Sequence, residues 1–202
     1  MAVRIRAWLS RLALSLWRWK AVGRPPSVGS VIVCAPHTSN VDYLLMIFVA
    51  WSNGMTLSWL GKEELFKPPV LGPLLRATGG IAVDRSAPSG LVGQMADEFR
   101  RNPGLMLAIP PEGTRSRTEH WKSGFYRIAE RAGVPISLAF IDKSRRRVGF
   151  GIELTPSGDI DADMALIAEF YDGKVGLKHE NFGPVRLKPA EPPEDGAAAA
   201  HP

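Results

Sequence analysis

Cysteine is almost absent from this chain of 202 residues, in which Cys34 is the single example. One cysteine excludes an internal disulfide framework and is typical of proteins that fold in a reducing compartment. Acidic residues are absent from residues 1–24, which carry six basic residues and leave the remainder of the chain close to neutral. A nucleic-acid-binding domain usually spreads its basic charge over a folded surface. This uneven distribution therefore argues against nucleic acid as a partner and favours a surface anchor.

A long apolar run is also missing, because crossing a bilayer takes ~20 mostly apolar residues and no such segment is free of charges or turn residues. Residues 43–61 are uncharged, but Ser52, Asn53 and Gly54 interrupt them with turn residues. We expect a helix, a turn and a strand in this stretch. A secretory signal is not expected either, since arginines interrupt the apolar N-terminal segment.

The N-terminal segment has the pattern of an amphipathic helix over residues 3–20. Its predicted apolar face consists of Ile5, Trp8, Leu9, Leu12, Leu16 and Trp19, and a neighbouring stripe consists of Arg4, Arg11 and Arg18. Such a helix can lie in the membrane interface, with tryptophans among the headgroups and arginines on anionic lipid. Alternatively, it packs on the domain's own core and leaves its arginines in solvent. We predict a membrane-surface helix in residues 1–24 and a peripheral protein at the cytoplasmic face of the membrane.

The composition, 45% hydrophobic and 22% charged, fits one globular domain, within which predicted strands and helices alternate. The strands are expected at residues 31–35, 56–60, 81–83, 105–109, 136–141 and 148–154, and the helices at 42–51, 89–101, 121–131 and 161–171, with broken helical pieces over 62–77. This order predicts an α/β fold: a mostly parallel sheet with helices on both faces, preceded by the amphipathic N-terminal helix. We assign this domain to residues 25–188 and a disordered tail to residues 189–202.

In a sheet of this kind, ligands bind beyond the carboxyl ends of the strands, and the first loop there contains His37 and Asp42. A histidine with a near-neutral pKa can act as a general base for a hydroxyl group. Asp42 could accept the proton of the other ring nitrogen and stabilise the imidazolium. Alternatively, Asp42 only caps the following helix and His37 is an incidental loop residue.

Two further loops, at residues 79–86 and 110–117, combine glycine, threonine and arginine. Glycine lets the backbone approach a ligand, and the planar guanidinium of Arg85 or Arg115 suits phosphate oxygens. A tight turn and a surface ion pair are the alternatives for these loops. The recurrence of such residues at equivalent loop positions favours a phosphate-binding site.

Four blocks of the sequence resemble, in order, those of the glycerolipid acyltransferases, the family of lysophosphatidic acid acyltransferase. The stretch HTSNVD at residues 37–42 matches the H-x-x-x-x-D signature of that family. GIAVDR at residues 80–85 resembles the second block, PEGTR at 111–115 the third, and the proline in VPI at 134–136 the fourth. Lys62 resembles part of the stretch that precedes the second block.

The resemblance implies an acyl-CoA or acyl carrier protein dependent O-acyltransferase, which moves a fatty acyl chain to the hydroxyl of a lysophospholipid. Lysophosphatidic acid, giving phosphatidic acid, is the expected acceptor. On this basis His37 deprotonates the hydroxyl and Asp42 orients His37. The acceptor, with its phosphate headgroup, is bound by Lys62, Arg85, Glu112, Gly113, Thr114 and Arg115. No metal and no cofactor is implied beyond the thioester co-substrate, because a thioester is already activated.

Two other functions stay open from the sequence: acylation of another lipid hydroxyl, and a catalytically silent lipid-binding module. Both the enzyme and the module would bind liposomes through the N-terminal helix, but only the enzyme would consume acyl-CoA. Cys34 falls inside a predicted apolar strand, so a buried core residue is favoured over a thiol nucleophile. The basic stretch at residues 143–147 is predicted to be a solvated hairpin tip, with contact to lipid headgroups or to an acidic carrier protein as the alternative.

Overall fold

The computed structural model describes residues 2–84 and 90–189, and this part of the chain contains six α-helices and seven strands. The helices are α1 (Ala2–Leu16), α2 (Asn40–Ser52), α3 (Leu71–Ala77), α4 (Gly90–Arg101), α5 (Gly124–Ala132) and α6 (Ile160–Tyr171). The strands are β1 (Lys20–Val22), β2 (Ser30–Ala35), β3 (Trp59–Lys62), β4 (Gly80–Val83), β5 (Met106–Ile109), β6 (Ile136–Asp142) and β7 (Arg147–Leu154). Short 3₁₀ helices occupy Glu63–Phe66 and His179–Asn181.

Five strands form the central sheet in the order β1-β7-β6-β2-β5. Every neighbouring pair is parallel except β6 and β7, which form an antiparallel hairpin. The parallel pair β3–β4 adjoins β5 through a bridge between Ser58 and Leu107. There, Ser58 N donates to Met106 O at 2.7 Å and Ala108 N donates to Ser58 O at 2.8 Å. The predicted α/β fold with a mostly parallel sheet is therefore confirmed.

Helices cover both faces of the sheet, as the continuous apolar run of β2 requires. Val31 and Val33 point into a core formed with α4, α5 and α6, whereas Ile32 points into a second core that includes side chains of α1 and α2. The three β2 residues are completely buried. Because period-two side chains fill both cores, β2 is held rigidly, and so is the start of the loop that follows it.

The N-terminal helix is shorter than predicted, because it ends at Leu16 rather than at residue 20. Arg18 adopts the left-handed conformation with φ 59°, Arg18 N donates to Ser15 O, and Trp19 N donates to Leu14 O. This is a Schellman-type helix end, which sequence patterns recognise by a glycine that is missing here. Trp19 was expected on the exposed face, but it is only 7% exposed and packs in the second core. Lys20–Val22 belongs to the sheet, so the segment 1–24 is not one helix.

The predicted apolar face of α1 otherwise lies on the surface. Its exposed members are Ile5, Trp8, Leu9, Leu12 and Leu16, to which Val3 and Trp17 are added. The opposite face packs on α2 through Ala7 and Leu14, and Arg11 donates to the carbonyl oxygen of Ser52 at 2.7 Å. None of the helices in the described part of the chain combines the length and the apolarity that crossing a bilayer demands.

Most of the other predicted elements occur within one to three residues of their expected ends. The predicted strand 56–60 is shifted to Trp59–Lys62, since Gly54, with φ 75°, and the irregular residues after it extend the turn. The predicted start of α4 at Ser89 lies outside the described residues, and so does the predicted tail from residue 190 onward.

Candidate active site

The first and third predicted site loops meet at one edge of the sheet. β2 and β5 are adjacent parallel strands, with Val33 paired to Ile109, so the loops that follow them emerge side by side. The loop after β2 carries His37 and leads into α2, and the loop after β5 carries Glu112 and Arg115. This is the edge at which open α/β sheets bind ligands.

His37 and Asp42 lie close together at the start of α2. His37 Nδ1 is 3.9 Å from Asp42 Oδ2, and the two side chains are 22% and 2% exposed. This separation is too long for a hydrogen bond but short enough for a strong electrostatic interaction once the imidazole is protonated. Because Nδ1 is the nitrogen nearest the carboxylate, Nε2 is left for a substrate hydroxyl.

Asp42 also stabilises the loop that carries His37. Its Oδ2 accepts hydrogen bonds from Thr38 N at 2.5 Å and Ser39 N at 2.7 Å, so the carboxylate caps α2 as well as facing the histidine. The two interpretations of Asp42 from the sequence, as the partner of His37 and as the cap of the helix, are thus compatible. Burial raises the pKa of Asp42, although these hydrogen bonds oppose the shift. Its Oδ1 is buried without a hydrogen-bond partner among the described residues.

Glu112 lies beneath the His37 loop rather than in the open part of the site. Its side chain is buried, and Oε1 accepts a hydrogen bond from His37 N at 2.9 Å. Burial raises the pKa of Glu112 to about 7, and the nearby Asp42 carboxylate adds to the shift. Glu112 Oε2 is buried and unpaired within the described chain. Glu112 therefore joins the loop after β5 to the loop that carries His37, a contact that resemblance to a substrate-binding motif did not specify.

The last three residues of the PEGTR stretch form an exposed turn beside His37. Arg115 donates to the side-chain oxygen of Asn40, at the first turn of α2. Gly113 has φ 65° and closes the turn by donating to Pro110 O at 3.1 Å, a conformation that favours glycine. The hydroxyl of Thr114 accepts from Ser116 N. Arg115 is thus the cation that this turn holds next to the histidine.

The electrostatic surroundings keep His37 neutral. Burial lowers the pKa of the His37 imidazole, and the positive charge of Arg115 lowers it further. A neutral imidazole at physiological pH is the form that can accept a proton.

Lys62 is not brought into contact with this group, and Arg85 cannot be placed relative to it. Lys62 ends β3 and is exposed at the same edge of the sheet, two strands from β2, which corresponds to ~10 Å. Arg85 lies outside the described residues, directly after Asp84. Their predicted roles stay predictions.

An apolar cavity of about 240 Å³ opens beside His37. Its lining includes both members of the His37–Asp42 pair, together with Met46 and Ile47 of α2 and Trp59 of β3. The volume approaches that of small ligand pockets, ~300 Å³, and the mostly apolar wall suits a hydrocarbon group.

Cys34 also lines this cavity, so it is not simply a core residue. Burial raises the pKa of the Cys34 thiol to about 12, and the Sγ–H group faces the carbonyl oxygen of Ile32 at 3.6 Å. A thiol with so high a pKa has almost no thiolate at neutral pH. The prediction that Cys34 is not a nucleophile is therefore supported by its surroundings.

A segment at residues 176–178 supports the His37 loop and was missed from the sequence. Lys178 N donates to the hydroxyl of the buried Thr38 at 3.1 Å, and the Thr38 side chain in turn lowers the pKa of Asp42 by a hydrogen bond. A Cβ on Gly176 would lie 2.8–3.0 Å from atoms of Thr38 and Pro36. No local pattern marks this contact, because its two sides are far apart in the chain. Asn40, by contrast, lies inside the HTSNVD stretch and could have been found there.

Comparisons with known proteins give a consistent result. The chain is 26% identical over 148 residues to the 1-acyl-sn-glycerol-3-phosphate acyltransferase of Escherichia coli (strain K12), an alignment that covers 66% of this chain and 59% of that protein. It is 32% identical over 110 residues to the 1-acyl-sn-glycerol-3-phosphate acyltransferase of Limnanthes douglasii, which covers 52% of this chain and 38% of that protein. The chain thus spans only part, about 40–60%, of the length of these relatives.

The fold is similar to a crystal structure of the 1-acyl-sn-glycerophosphate acyltransferase of Thermotoga maritima. The TM-score is 0.54 at 19% sequence identity, and the match covers 83% of this chain and 75% of that chain. The family model named Acyltransferase matches residues 23–138, a range that contains the His37–Asp42 pair and the PEGTR turn. Since this range is more than half of the sequence, the chain belongs to the Acyltransferase family.

Proposed function

We propose that this chain transfers a fatty acyl group from a thioester, acyl-CoA or acyl carrier protein, to the hydroxyl of lysophosphatidic acid, which yields phosphatidic acid. One observation carries the proposal: a neutral histidine, paired with a buried carboxylate, faces an apolar cavity and has an arginine beside it. This arrangement offers a base for a hydroxyl, room for a hydrocarbon chain and a cation for a phosphate.

In the proposed reaction, His37 Nε2 accepts the proton of the acceptor hydroxyl while the hydroxyl oxygen bonds to the thioester carbonyl carbon. Asp42, 3.9 Å from Nδ1, stabilises the resulting imidazolium. The carbon–sulfur bond then breaks, and the leaving thiolate takes the proton back from His37. The reaction uses no metal, cofactor or covalent acyl-enzyme, because the thioester is already activated.

The acceptor phosphate is placed against Arg115, whose guanidinium is fixed by Asn40 next to His37. We assign Lys62, Arg85 and Thr114 to the same phosphate-bearing acceptor as further contacts. Gly113 shapes the turn, and Glu112 acts by holding the backbone of His37. The apolar cavity receives an acyl chain, since its walls offer carbon rather than polar atoms.

The proposed location is the surface of an anionic membrane, at its cytoplasmic face, with the protein held there peripherally. The exposed apolar side chains of α1 support this location, because a contiguous apolar helix face on a water-soluble surface is unfavourable. A lipid acceptor would then reach the site directly from the membrane.

The experiment is a matrix of two donors and several acceptors. Acyl-CoA and acylated acyl carrier protein, each with a radiolabelled acyl group, are offered with lysophosphatidic acid, glycerol 3-phosphate or lysophosphatidylcholine. Labelled lipid is measured for wild type and His37→Ala. We expect acylation of lysophosphatidic acid that depends on His37. Absence of product with every donor and acceptor would refute the enzyme and leave a lipid-binding module.

A second acceptor is favoured by one finding. The chain is 30% identical over 130 residues to the glycerol-3-phosphate acyltransferase of Pseudomonas aeruginosa (strain LESB58), an alignment that covers 60% of this chain and 15% of that protein. Glycerol 3-phosphate has the same phosphate but no acyl chain. Product from glycerol 3-phosphate alone would replace lysophosphatidic acid in the proposal, and product from lysophosphatidylcholine would indicate another lipid hydroxyl.

A further inference from the structure

The edge of the sheet that carries His37 also carries a group of basic side chains, two and three strands away from β2. The basic cluster consists of Arg18, Lys20, Arg146 and Arg147, all of which are exposed. Lys20 pairs with Arg147 across β1 and β7, and Lys20 N donates to Arg146 O at 2.8 Å. Arg18, Lys20 and Arg146 line a shallow pocket with a volume of about 430 Å³.

The acid nearest to the cluster along the sheet is Asp142, which lies opposite Arg147 on β6. No described residue forms an ion pair with any of the cluster's four side chains. The carboxylate of Asp142, at the end of β6, is engaged by Arg145 and by the hydroxyl of Ser144. Like charges on paired strand positions destabilise a sheet, so this arrangement has a cost that an external anion would remove.

The sheet topology places the basic cluster at the same edge as the loop that carries His37. β6 runs parallel to β2 with Phe140 opposite Ala35, so Asp142 ends about where His37 follows β2. β7 begins there with Arg147, and β1 begins there with Lys20. At ~4.8 Å between strands, β7 and β1 lie ~10 and ~14 Å from β2 along this edge.

Exposed apolar side chains adjoin the cluster on α1. Leu16 is 73% exposed and Trp17 is 42% exposed, immediately before Arg18. Trp17 also contacts Phe48 of α2 in an edge-to-face arrangement, with ring centroids 5.7 Å apart, which ties it to the domain. A rigid surface that combines leucine and tryptophan with unpaired arginine and lysine has the chemistry of the membrane interface.

We propose that the basic cluster Arg18–Lys20–Arg146–Arg147 binds the headgroups of anionic phospholipids and thereby turns the His37 edge of the sheet towards the membrane. This inference rests on the proposed membrane location, but it does not depend on the acyl transfer itself. The apolar face of α1 inserts into the membrane interface. The basic cluster, at the end of α1 nearest the site, orients the protein on that surface.

The test is sedimentation with vesicles of phosphatidylcholine, with or without phosphatidylglycerol, in the absence of substrates. The variant is Arg18→Gln/Lys20→Gln/Arg147→Gln, which keeps Arg146 because its guanidinium packs over the Trp19 ring. The matched control is Arg100→Gln/Arg127→Gln/Arg131→Gln on α4 and α5, which cover the opposite face of the sheet. Circular dichroism and thermal unfolding check that both proteins are folded.

We expect the cluster variant to bind the anionic vesicles at least ~10-fold more weakly than wild type, since each basic residue near such a surface contributes a factor of ~5. Binding to pure phosphatidylcholine should change little, the control should bind like wild type, and added salt should remove most of the difference. Equal vesicle binding by the cluster variant and wild type overturns the proposal. If that variant also loses activity only with acyl carrier protein as donor, the cluster is a protein-docking surface instead. If no acceptor is acylated in the assay with the two donors, this vesicle-binding test keeps its meaning, because it uses no substrate.

Discussion

At the scale of single residues, the surroundings of His37 suit its proposed role as a general base. Its ring lies beside Asp42 and lines the cavity, and its burial and the charge of Arg115 keep it unprotonated. The ring itself forms no hydrogen bond within the described chain, so the fold does not depend on it. Function and stability can therefore be separated at this residue.

We predict that His37→Ala lowers the turnover of lysophosphatidic acid by at least ~10²-fold, the usual contribution of a positioned base. The free energy of unfolding in urea should stay within ~1–2 kcal/mol of wild type, because the ring is largely buried but forms no hydrogen bond and borders a cavity. His179→Ala is the control, since His179 is exposed and pairs only with Glu180. Turnover near the wild-type level in His37→Ala would remove His37 from the mechanism.

For Cys34 we predict the opposite of His37, namely little effect on turnover, because its thiol lines the cavity without chemical activation. With a pKa of about 12, the thiol should react slowly with maleimides at pH 8, well below the rate of an ordinary exposed cysteine. Cys34→Ala should retain most of the turnover. Loss of activity in that variant, with folding intact, would point to a thiol intermediate.

At the scale of elements, the His37 loop is held from three sides: by the start of α2, by the PEGTR turn and by the segment at residues 176–178. The last contact is the most distant in sequence, with Thr38 and Lys178 separated by 140 residues. This segment lies outside the range that the family model matches. Its effect on the loop is therefore a property that the structure alone reveals.

We predict that Gly176→Ala lowers turnover by ~10²-fold and lowers the free energy of unfolding by about 1–3 kcal/mol. The new Cβ would displace Thr38 or Pro36 and so move the His37 loop by a fraction of an ångström or more. Gly124→Ala is the matched control, since its Cβ would meet open space in α5. Initial rates and urea unfolding distinguish the two. Wild-type rates in Gly176→Ala would mean that the loop tolerates the contact.

Local patterns predicted most helices and strands because apolar periodicity and turn residues act over a few positions. These patterns failed where an element begins or ends without the usual residues or is too short to show a period. The end of α1 uses an arginine in the left-handed conformation instead of glycine, and β1 has three residues, too few for a periodic pattern. The pairing of Lys20 with Arg147 is fixed by tertiary contacts that no stretch of sequence records.

At the scale of the whole molecule, the site depends on contacts between loops that folding brings together. His37 and Asp42 could be proposed from one stretch because they are five residues apart. The bond between His37 N and Glu112 spans 75 residues, and the burial that raises the pKa of Glu112 exists only in the folded domain. The sequence could therefore name Glu112 as a site residue but could not assign its place under the loop.

The burial of Glu112 should make the stability of the whole protein depend on pH. Its pKa is about 7 in the folded protein and near the ordinary value of 4.5 in the unfolded chain, so the unfolded chain releases the proton first as pH rises. The stability that the protonated carboxyl contributes is present below pH 4.5 and is lost as the pH rises to 7. A shift of this size corresponds to about 3 kcal/mol.

Glu112→Gln removes this titration while keeping an oxygen that can accept the hydrogen bond from His37 N. We predict that the free energy of unfolding of wild type, minus that of Glu112→Gln, falls by about 3 kcal/mol between pH 4.5 and pH 8. Urea unfolding at intervals across that range measures it, and the difference between the two proteins cancels the titration of all other groups that do not interact with Glu112. A difference that stays constant with pH would show that Glu112 ionises at its ordinary pKa, and a difference that rises would show that a cation stabilises its carboxylate. In either case the carboxyl would be open to charged partners, and its predicted place in the acceptor site would be favoured over its position beneath the His37 loop.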